Sequence, residues 1–220
     1  MTLDEIKKKL KTMEDEYTDF ISGYFQNWEL WADASERIYR GEEVSEREVP
    51  KAFHTEMKMM KMILKMEKSG DFDWNNPVVK KMFSEFSQSS FYKYFGETIV
   101  KVAFEIASSI ECRTLLEVGA GNGNLTRKMV RQMKENDKNI SLLISDSKDL
   151  ILPEAKKIEE EYDFHNIDAF LWNISEPPPK EVEEILRPPV LCYERYTITY
   201  TSPDVVKNIA SVSDVLVMGD

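Results

Sequence analysis

One segment carries most of the information in this sequence: Thr114-Leu-Leu-Glu-Val-Gly-Ala-Gly-Asn-Gly-Asn-Leu125. Its apolar start predicts a short buried strand that runs into the acid Glu117. The glycines at 119, 121 and 123 predict a turn whose backbone approaches a ligand closely. The segment from Leu125 to Lys134 then carries apolar side chains at helical spacing. Strand, glycine turn and helix in this order open nucleotide-binding α/β folds, and an ordinary strand-to-helix turn is the simpler alternative.

The glycine spacing distinguishes two kinds of cofactor. A dinucleotide fingerprint requires Gly-x-Gly-x-x-Gly, with the pyrophosphate at the helix N-terminus. In this chain Asn124 occupies the position of the third dinucleotide glycine, and Glu117 precedes the first glycine by two residues. An acid suits a cationic ligand better than a pyrophosphate. The pattern therefore disfavours an NAD-dependent oxidoreductase, which is the third of three functional hypotheses.

The same residues resemble motif I of the class I S-adenosylmethionine-dependent methyltransferases, Glu/Asp-x-Gly-x-Gly-x-Gly. The resemblance implies that Glu117 holds one end of S-adenosylmethionine through hydrogen bonds. It also implies that the turn lies against the methionine part of this cofactor; the residues of the turn are Gly119, Ala120, Gly121, Asn122 and Gly123. Leu116-Glu-Val-Gly-Ala-Gly and Ser145-Asp-Ser147 resemble, more weakly, the polyketide C-methyltransferase domains.

Composition excludes several other classes of protein. The net charge of −11, from 40 acidic and 29 basic residues, disfavours a nucleic-acid partner. No apolar run approaches the ~20 residues needed to span a bilayer, and the N-terminus lacks the apolar core of a signal peptide. The cysteines, Cys112 and Cys192, lack metal-ligand spacing, and we expect both to be buried. We expect a cytoplasmic protein with no membrane partner.

Residues 1–110 are predicted to be all helical. Apolar residues at three- and four-residue spacing begin at Leu3, and a second helix is predicted from Pro50 to Lys68. Its methionines suit either the core or an adaptable substrate surface. Further helices are predicted from Pro77 and from Phe91 to Ile110. The family resemblance implies that such a helical extension forms a lid over the substrate.

Residues 111–220 are predicted to form a Rossmann-like parallel sheet, because strands and helices alternate from Thr114 onward. The second strand, Ile140–Ser145, ends at Asp146, whose carboxylate resembles the acid that binds the ribose hydroxyls in motif II; a helix-capping role is the alternative. The third strand, Ala169–Trp172, is followed by Asn173. The family resemblance implies that Asn173 binds the adenine amino group and that Trp172 flanks the ring, unless Trp172 is a core residue.

The fourth strand, Pro189–Tyr193, ends at the position of motif IV. The sequence there lacks both the Asp/Asn-Pro-Pro-Tyr/Phe signature and the Asn-x-x-His pattern of the polyketide domains. A base is needed only if the accepting atom must lose a proton. The candidates are Tyr193, Glu194, Tyr196 and, from the helical region, His54. Glu194 paired with Arg195, and an exposed His54, are the structural alternatives.

The sequence reaches a fifth strand, Val215–Met218, and stops at Asp220. A class I methyltransferase sheet has seven strands, so the sheet is expected to be C-terminally incomplete. An uncovered strand edge is a pairing liability. We therefore expect another copy, a helix or further chain to cover it.

The first functional hypothesis is a methyltransferase that uses S-adenosylmethionine on a small-molecule or carrier-bound acyl substrate, by in-line methyl transfer. The second is a cofactor-binding or scaffold protein that has lost catalysis. No metal site is expected.

Overall fold

A computed structural model describes residues 3–24, 28–70, 73, 76–195 and 204–219. The chain forms two compact units. One comprises Met1–Leu10 and Phe95–Asp220, and the other comprises Lys11–Tyr94. The predicted division into a helical lid over 1–110 and a cofactor-binding domain over 111–220 stays a prediction.

The helical part of the chain contains five α-helices within the described residues. These are α1 (Leu3–Tyr24), α2 (Trp28–Tyr39), α3 (His54–Ser69), α4 (Pro77–Phe86) and α5 (Ser90–Ser109). Strands and helices then alternate as β1 (Thr114–Val118), α6 (Asn124–Glu135), β2 (Ser141–Asp146), α7 (Ile151–Tyr162), β3 (Ile167–Leu171), α8 (Lys180–Ile185), β4 (Val190–Arg195), α9 (Asp204–Ala210) and β5 (Val215–Gly219).

The unit of residues 11–94 has its own small core. Trp31 of α2 stacks on Phe53 with ring centroids 5.2 Å apart, and Met57 is buried beside them. The predicted helix from Pro50 is divided here into a short 3₁₀ turn, Lys51–Phe53, followed by α3. Helix α3 ends at Gly70, whose φ of 74° is a left-handed conformation that favours glycine.

The sheet has five parallel strands in the order β3-β2-β1-β4-β5. This arrangement confirms the predicted fold class, an α/β Rossmann-like sheet preceded by helices. The order reverses between β1 and β4, and ligands of such sheets bind beyond the carboxyl ends of the strands at this switch point. The glycine turn follows β1 directly, so the switch point and the turn coincide.

Helices cover the sheet on both faces through two groups of buried residues. The first core layer packs Leu115, Ile144 and Leu191 of the strands against α5, α6 and α7. The second core layer contains Leu116, Leu143 and Cys192 of the strands together with residues of α9. Side chains alternate between the layers along each strand, as the pleat of a β-strand requires. Both cysteines are buried, as predicted.

Strand β4 extends two residues further than predicted, so Glu194 and Arg195 lie within it. They pair in parallel register with Met218 and Gly219 of β5. Strand β3 begins two residues before the predicted start and ends at Leu171, which leaves Trp172 just beyond it. None of the described helices combines the length and apolar character that crossing a bilayer would require.

Candidate functional site

The glycine turn is shaped by three left-handed backbone conformations. The φ angles of Gly119, Gly121 and Gly123 are 67°, 55° and 69°, respectively. Residues with a Cβ rarely adopt such angles. A Cβ built on Gly121 would have Gly119 O, 4.0 Å away, as its nearest neighbour, so one side of the turn is open. A Cβ on Gly123 would instead come within 2.7 Å of Ile158 Cδ1, so Gly123 lies against α7.

Two hydrogen bonds hold the turn to the end of β2. Ala120 N donates to the carbonyl of Ser145 at 2.9 Å, and Gly121 N donates to Asp146 Oδ2 at 2.9 Å. The turn closes on itself where Gly123 N donates to Ala120 O. Its position is therefore set from the neighbouring strand before any ligand binds.

Glu117 lies at the base of the turn and is 1% exposed. One carboxylate oxygen, Oε2, accepts hydrogen bonds from Thr126 Oγ1 at 2.9 Å and from Tyr193 OH at 2.8 Å. The other oxygen, Oε1, is buried and has no hydrogen-bond partner among the described residues. A buried acceptor without a partner is costly, and such groups are rare in folded proteins. Oε1 is thus the atom of this site that most needs a ligand.

Burial raises the pKa of Glu117 from its ordinary value to about 7. The hydrogen bonds from Tyr193 and Thr126 and the charge of Arg195 oppose this shift, because each favours the carboxylate form. The charge of Asp146 also raises the pKa of Glu117, but by less than burial does. A cation bound beside Oε1 would lower this pKa and ionise the acid fully near neutral pH.

Asp146 lies at the tip of β2, where motif II predicts the ribose acid. Besides the Gly121 amide, it accepts a hydrogen bond from Lys148 N through Oδ1 at 3.0 Å. Ser147 is exposed, and its hydroxyl lies 3.5 Å from the same oxygen. A carboxylate offers about four acceptor positions, so Asp146 keeps capacity for further donors. Its predicted contact with ribose, and that of Ser147 with the cofactor, stay predictions.

The two residues predicted to surround adenine follow β3. Trp172 is 3% exposed, belongs to the second core layer and donates its indole N–H to Glu176 O at 3.0 Å. This placement agrees with the core alternative for Trp172. Asn173 is exposed, and its Oδ1 accepts a hydrogen bond from Ser175 N at 3.2 Å. The adenine contacts of both residues stay predictions.

The candidates of motif IV differ in their surroundings. Tyr193 is fully buried and its hydroxyl donates to Glu117, and burial raises its pKa well above the ordinary value. Glu194 is also fully buried, and its Oε1 accepts a hydrogen bond from Gly219 N at 3.2 Å. Tyr196 lies outside the described residues. Tyr193 is thus placed to orient Glu117, while the catalytic roles predicted for all three stay predictions.

Arg195 lies on the same side of β4 as Tyr193, two residues further along the strand. It is 7% exposed, and its guanidinium fills the space beside Gly96 of α5. A Cβ on Gly96 would come within 2.1 Å of Arg195 Nη1. A positive charge is therefore held near Glu117, in a place where only a glycine on α5 leaves room for it.

His54 belongs to the unit of residues 11–94. Its Nε2 lies 3.0 Å from the carbonyl oxygens of Glu46 and Val49. Because carbonyl oxygens only accept hydrogen bonds, Nε2 carries the ring proton. Its hydrogen bonds hold the segment that precedes α3. The predicted role of His54 as a catalytic base stays a prediction. Among the described residues, no three His, Cys, Asp or Glu side chains are grouped as a metal site.

Two residues of this site were not predicted from the sequence. Thr126 is fully buried in the first turn of α6, on the same stripe as Met129 and Met133. A hydroxyl on an apolar helical stripe is a signal that could have pointed to it. Arg195 was predicted only as a partner of Glu194, and nothing local in the sequence indicates the space beside Gly96.

Comparison with solved structures identifies the fold. The chain is similar to the CMeT domain of the citrinin polyketide synthase, with 15% identity and a TM-score of 0.54 over 76% of this chain and 48% of that one. It is similar to the CurJ carbon methyltransferase, with 14% identity and a TM-score of 0.52 over 83% of this chain and 48% of that one. It is also similar to the DszA carbon methyltransferase, with 13% identity and a TM-score of 0.50 over 80% of this chain and 53% of that one.

These similarities show that the chain shares its α/β Rossmann-like fold with these solved methyltransferase structures. The chain spans about half the length of the solved structures it matches. No protein-family model matches the sequence, and no curated protein matches it either.

Proposed function

We propose that this chain binds S-adenosylmethionine and catalyses methyl transfer. The observation that carries the proposal is the buried, unpartnered Oε1 of Glu117 at the base of the glycine turn. A cationic ligand would satisfy this acceptor and favour its ionised form, whereas a pyrophosphate would be repelled by it. The ammonium and sulfonium groups of S-adenosylmethionine supply such a charge.

The other residues around the turn suit the same ligand. The open side of Gly121 leaves room for a ligand to approach the backbone. Asp146 retains acceptor capacity for ribose hydroxyls, and Asn173 is exposed beyond β3, where it would meet adenine. S-adenosylmethionine supplies an activated methyl group, so the protein contributes mainly by positioning the two reactants.

We propose a small molecule or a carrier-bound acyl group as the acceptor. The support is the weak sequence resemblance to polyketide C-methyltransferase domains, together with the fold shared with the citrinin polyketide synthase CMeT domain and the CurJ and DszA carbon methyltransferases. The net charge of −11 also makes a nucleic-acid acceptor unfavourable. The helical region would close the site over this substrate.

A cofactor-binding protein without catalysis is the second candidate, and one observation favours it. Three predicted catalytic side chains make hydrogen bonds within the protein itself. Tyr193 donates to Glu117, Glu194 accepts from Gly219 N, and His54 Nε2 contacts two carbonyls. In a protein without catalysis, these side chains would stabilise the fold and would not remove a proton from a substrate.

Calorimetric titration tests the proposal. We expect S-adenosylmethionine and S-adenosylhomocysteine to bind and NAD not to bind. Binding of NAD alone would place the oxidoreductase hypothesis first. If the methyl donor binds, release of S-adenosylhomocysteine in the presence of acyl thioesters separates the two remaining candidates, because a scaffold protein would bind the cofactor without turnover.

A further inference from the structure

Arg127 contacts the glycine turn from the helix that follows it. Its Nη1 donates to the carbonyl of Asn122 at 2.9 Å and lies 3.4 Å from that of Gly123. Both carbonyls belong to the second half of the turn. The side chain of Arg127 is 23% exposed, so these hydrogen bonds are partly shielded from water. Arginine therefore holds the carbonyl side of a turn whose N–H side is held by Asp146.

The same guanidinium is itself fixed by two acids of α7. Its Nε donates to Glu161 Oε2 at 3.0 Å, and its Nη2 donates to Glu154 Oε1 at 2.5 Å. Burial lowers the pKa of Arg127, but the bonds to Glu154 and Glu161 outweigh burial and raise it. All three nitrogens of the side chain thus have partners, which leaves the guanidinium a single orientation.

Helix α7 also touches the turn directly. Ile158 lies one helical turn from Glu154 and Glu161, and its Cδ1 is 2.7 Å from the place where a Cβ of Gly123 would stand. The turn is thus packed against α7 by an apolar contact and tied to it through Arg127. Three glycines give the free turn wide conformational freedom, which binding would otherwise have to remove.

We propose that Arg127 is a positioning residue for the ligand-binding turn, which it holds in its binding conformation by linking it to α7. The identity of the ligand rests on the proposed function, whereas the positioning role rests on the contacts of Arg127 alone. Lysine could not replace it fully, because one ammonium cannot reach two carbonyls and two separate carboxylates in a planar fork.

The chain offers a matched control one helical turn further along α6. Arg131 also links α6 to α7, since its Nη2 donates to Tyr162 OH at 3.3 Å. None of the hydrogen bonds described for Arg131 reaches the glycine turn. Comparison of Arg127→Gln with Arg131→Gln therefore separates the effect on the turn from the loss of one contact between the two helices.

The experiment measures the dissociation constant of S-adenosylhomocysteine by calorimetry in the wild type, R127Q, R127K and R131Q. Losing hydrogen bonds from a charged donor should weaken binding about tenfold or more in R127Q. We expect R127K to fall between R127Q and the wild type, and R131Q to bind like the wild type. In turnover assays, KM for the methyl donor should rise in R127Q while kcat stays within about threefold of the wild-type value.

Amide hydrogen exchange of residues 120–124 without ligand gives a second measurement. We expect faster exchange in R127Q than in R131Q, with similar thermal stability of both variants. Equal exchange and equal affinity in the two variants would overturn the positioning role. If R127Q does not fold, Glu161→Gln removes one anchor of the guanidinium while leaving Arg127 in place, and the same comparison applies to it.

These results also separate the two proposals. If the wild type binds neither S-adenosylmethionine nor S-adenosylhomocysteine, the proposed function fails, and the exchange measurement alone decides whether Arg127 fixes the turn. If the wild type binds and R127Q binds equally well, only the positioning role fails.

Discussion

The two faces of the central strands β1 and β4 are built by the same alternation but end differently. On the second core layer, Leu116, Val118 and Cys192 are apolar and buried up to the end of β1. On the first core layer, the positions nearest the carboxyl ends are Glu117, Tyr193 and Arg195, all buried. Burying polar groups is unfavourable unless they are paired. Glu194 is also buried at the end of β4, on the second-layer side, but its Oε1 accepts a hydrogen bond from Gly219 N. Oε1 of Glu117, on the first-layer side, has no partner among the described residues, which favours the proposed ligand site at the end of that face.

The largest effect should come from the second layer. Leu116→Ala removes a fully buried side chain from the middle of the sheet and should lower the free energy of unfolding by about 2–5 kcal/mol. Urea denaturation measures this loss. We expect the folded variant to bind S-adenosylhomocysteine with an unchanged dissociation constant. A large loss of affinity at unchanged stability would show that the two faces are not separate in function.

Glu117→Gln should remove a pH dependence of stability from the ligand-free protein. The pKa of Glu117 is raised to about 7 in the folded state, against about 4.3 in an unfolded chain. Between these values the folded protein binds the proton and the unfolded chain does not, so stability falls as pH rises and stays lower above pH 7. The difference corresponds to about 4 kcal/mol.

Chemical denaturation of wild type and Glu117→Gln at pH 5, 6, 7 and 8 measures this effect. The stability gained by the variant should grow across that range and then level off. The variant should also lose most of its affinity for S-adenosylmethionine. Parallel pH profiles for the two proteins would mean that Glu117 is ionised throughout, without a folding cost.

Asp146→Ala should weaken cofactor binding by roughly 1.5–3 kcal/mol, because it removes a charged acceptor beside the turn. The protein should still fold, since Asp146 is only partly buried. Calorimetry checks the affinity, and Asp149→Ala, at an exposed position three residues on, is the control. An unchanged dissociation constant would leave Asp146 only as an acceptor for the Gly121 and Lys148 amides, because the N-cap of α7 is Leu150.

The smallest effect is expected for Tyr193→Phe. The hydrogen bond from Tyr193 lowers the pKa of Glu117, so its loss should raise that pKa and weaken cofactor binding at pH 7 by about 0.5–1.5 kcal/mol. Affinity should recover at pH 9, where Glu117 is ionised. A large fall in kcat with unchanged affinity would instead support Tyr193 as the catalytic base.

Local patterns were sufficient to predict the fold and the glycine turn. The turn is determined by consecutive residues, because glycine adopts its left-handed conformations far more readily than residues with a Cβ do. The parallel sheet follows from alternating apolar strands and helices, and α4 begins at Pro77 as predicted, where Asn76 Oδ1 accepts a hydrogen bond from Val78 N. These features are determined by residues that are close together in the sequence, so local patterns are enough to predict them.

The surroundings of Glu117 and Arg195 depend on residues far apart in the chain. Tyr193 is 76 positions from Glu117, and Gly96 is about a hundred residues before Arg195. Charged residues usually end a buried strand, which is why β4 was predicted to stop at Tyr193. Strand β4 extends through Glu194 and Arg195 because Gly96 leaves space for the guanidinium and because Gly219 N donates to Glu194. The spacing of residues along the sequence does not indicate such contacts.

The space beside Gly96 also restricts which changes in chain length this fold accepts. Gly96 lies over Arg195, and a Cβ on Gly219 would come within 1.9 Å of Ile99 Cδ1. Helix α5 therefore packs against the ends of β4 and β5 in only one rotation about its own axis. Inserting a single residue between Ile99 and Ala107 would turn the preceding segment by about 100° and replace the glycine with a side chain. Relatives of this chain should therefore keep α5 free of insertions and deletions.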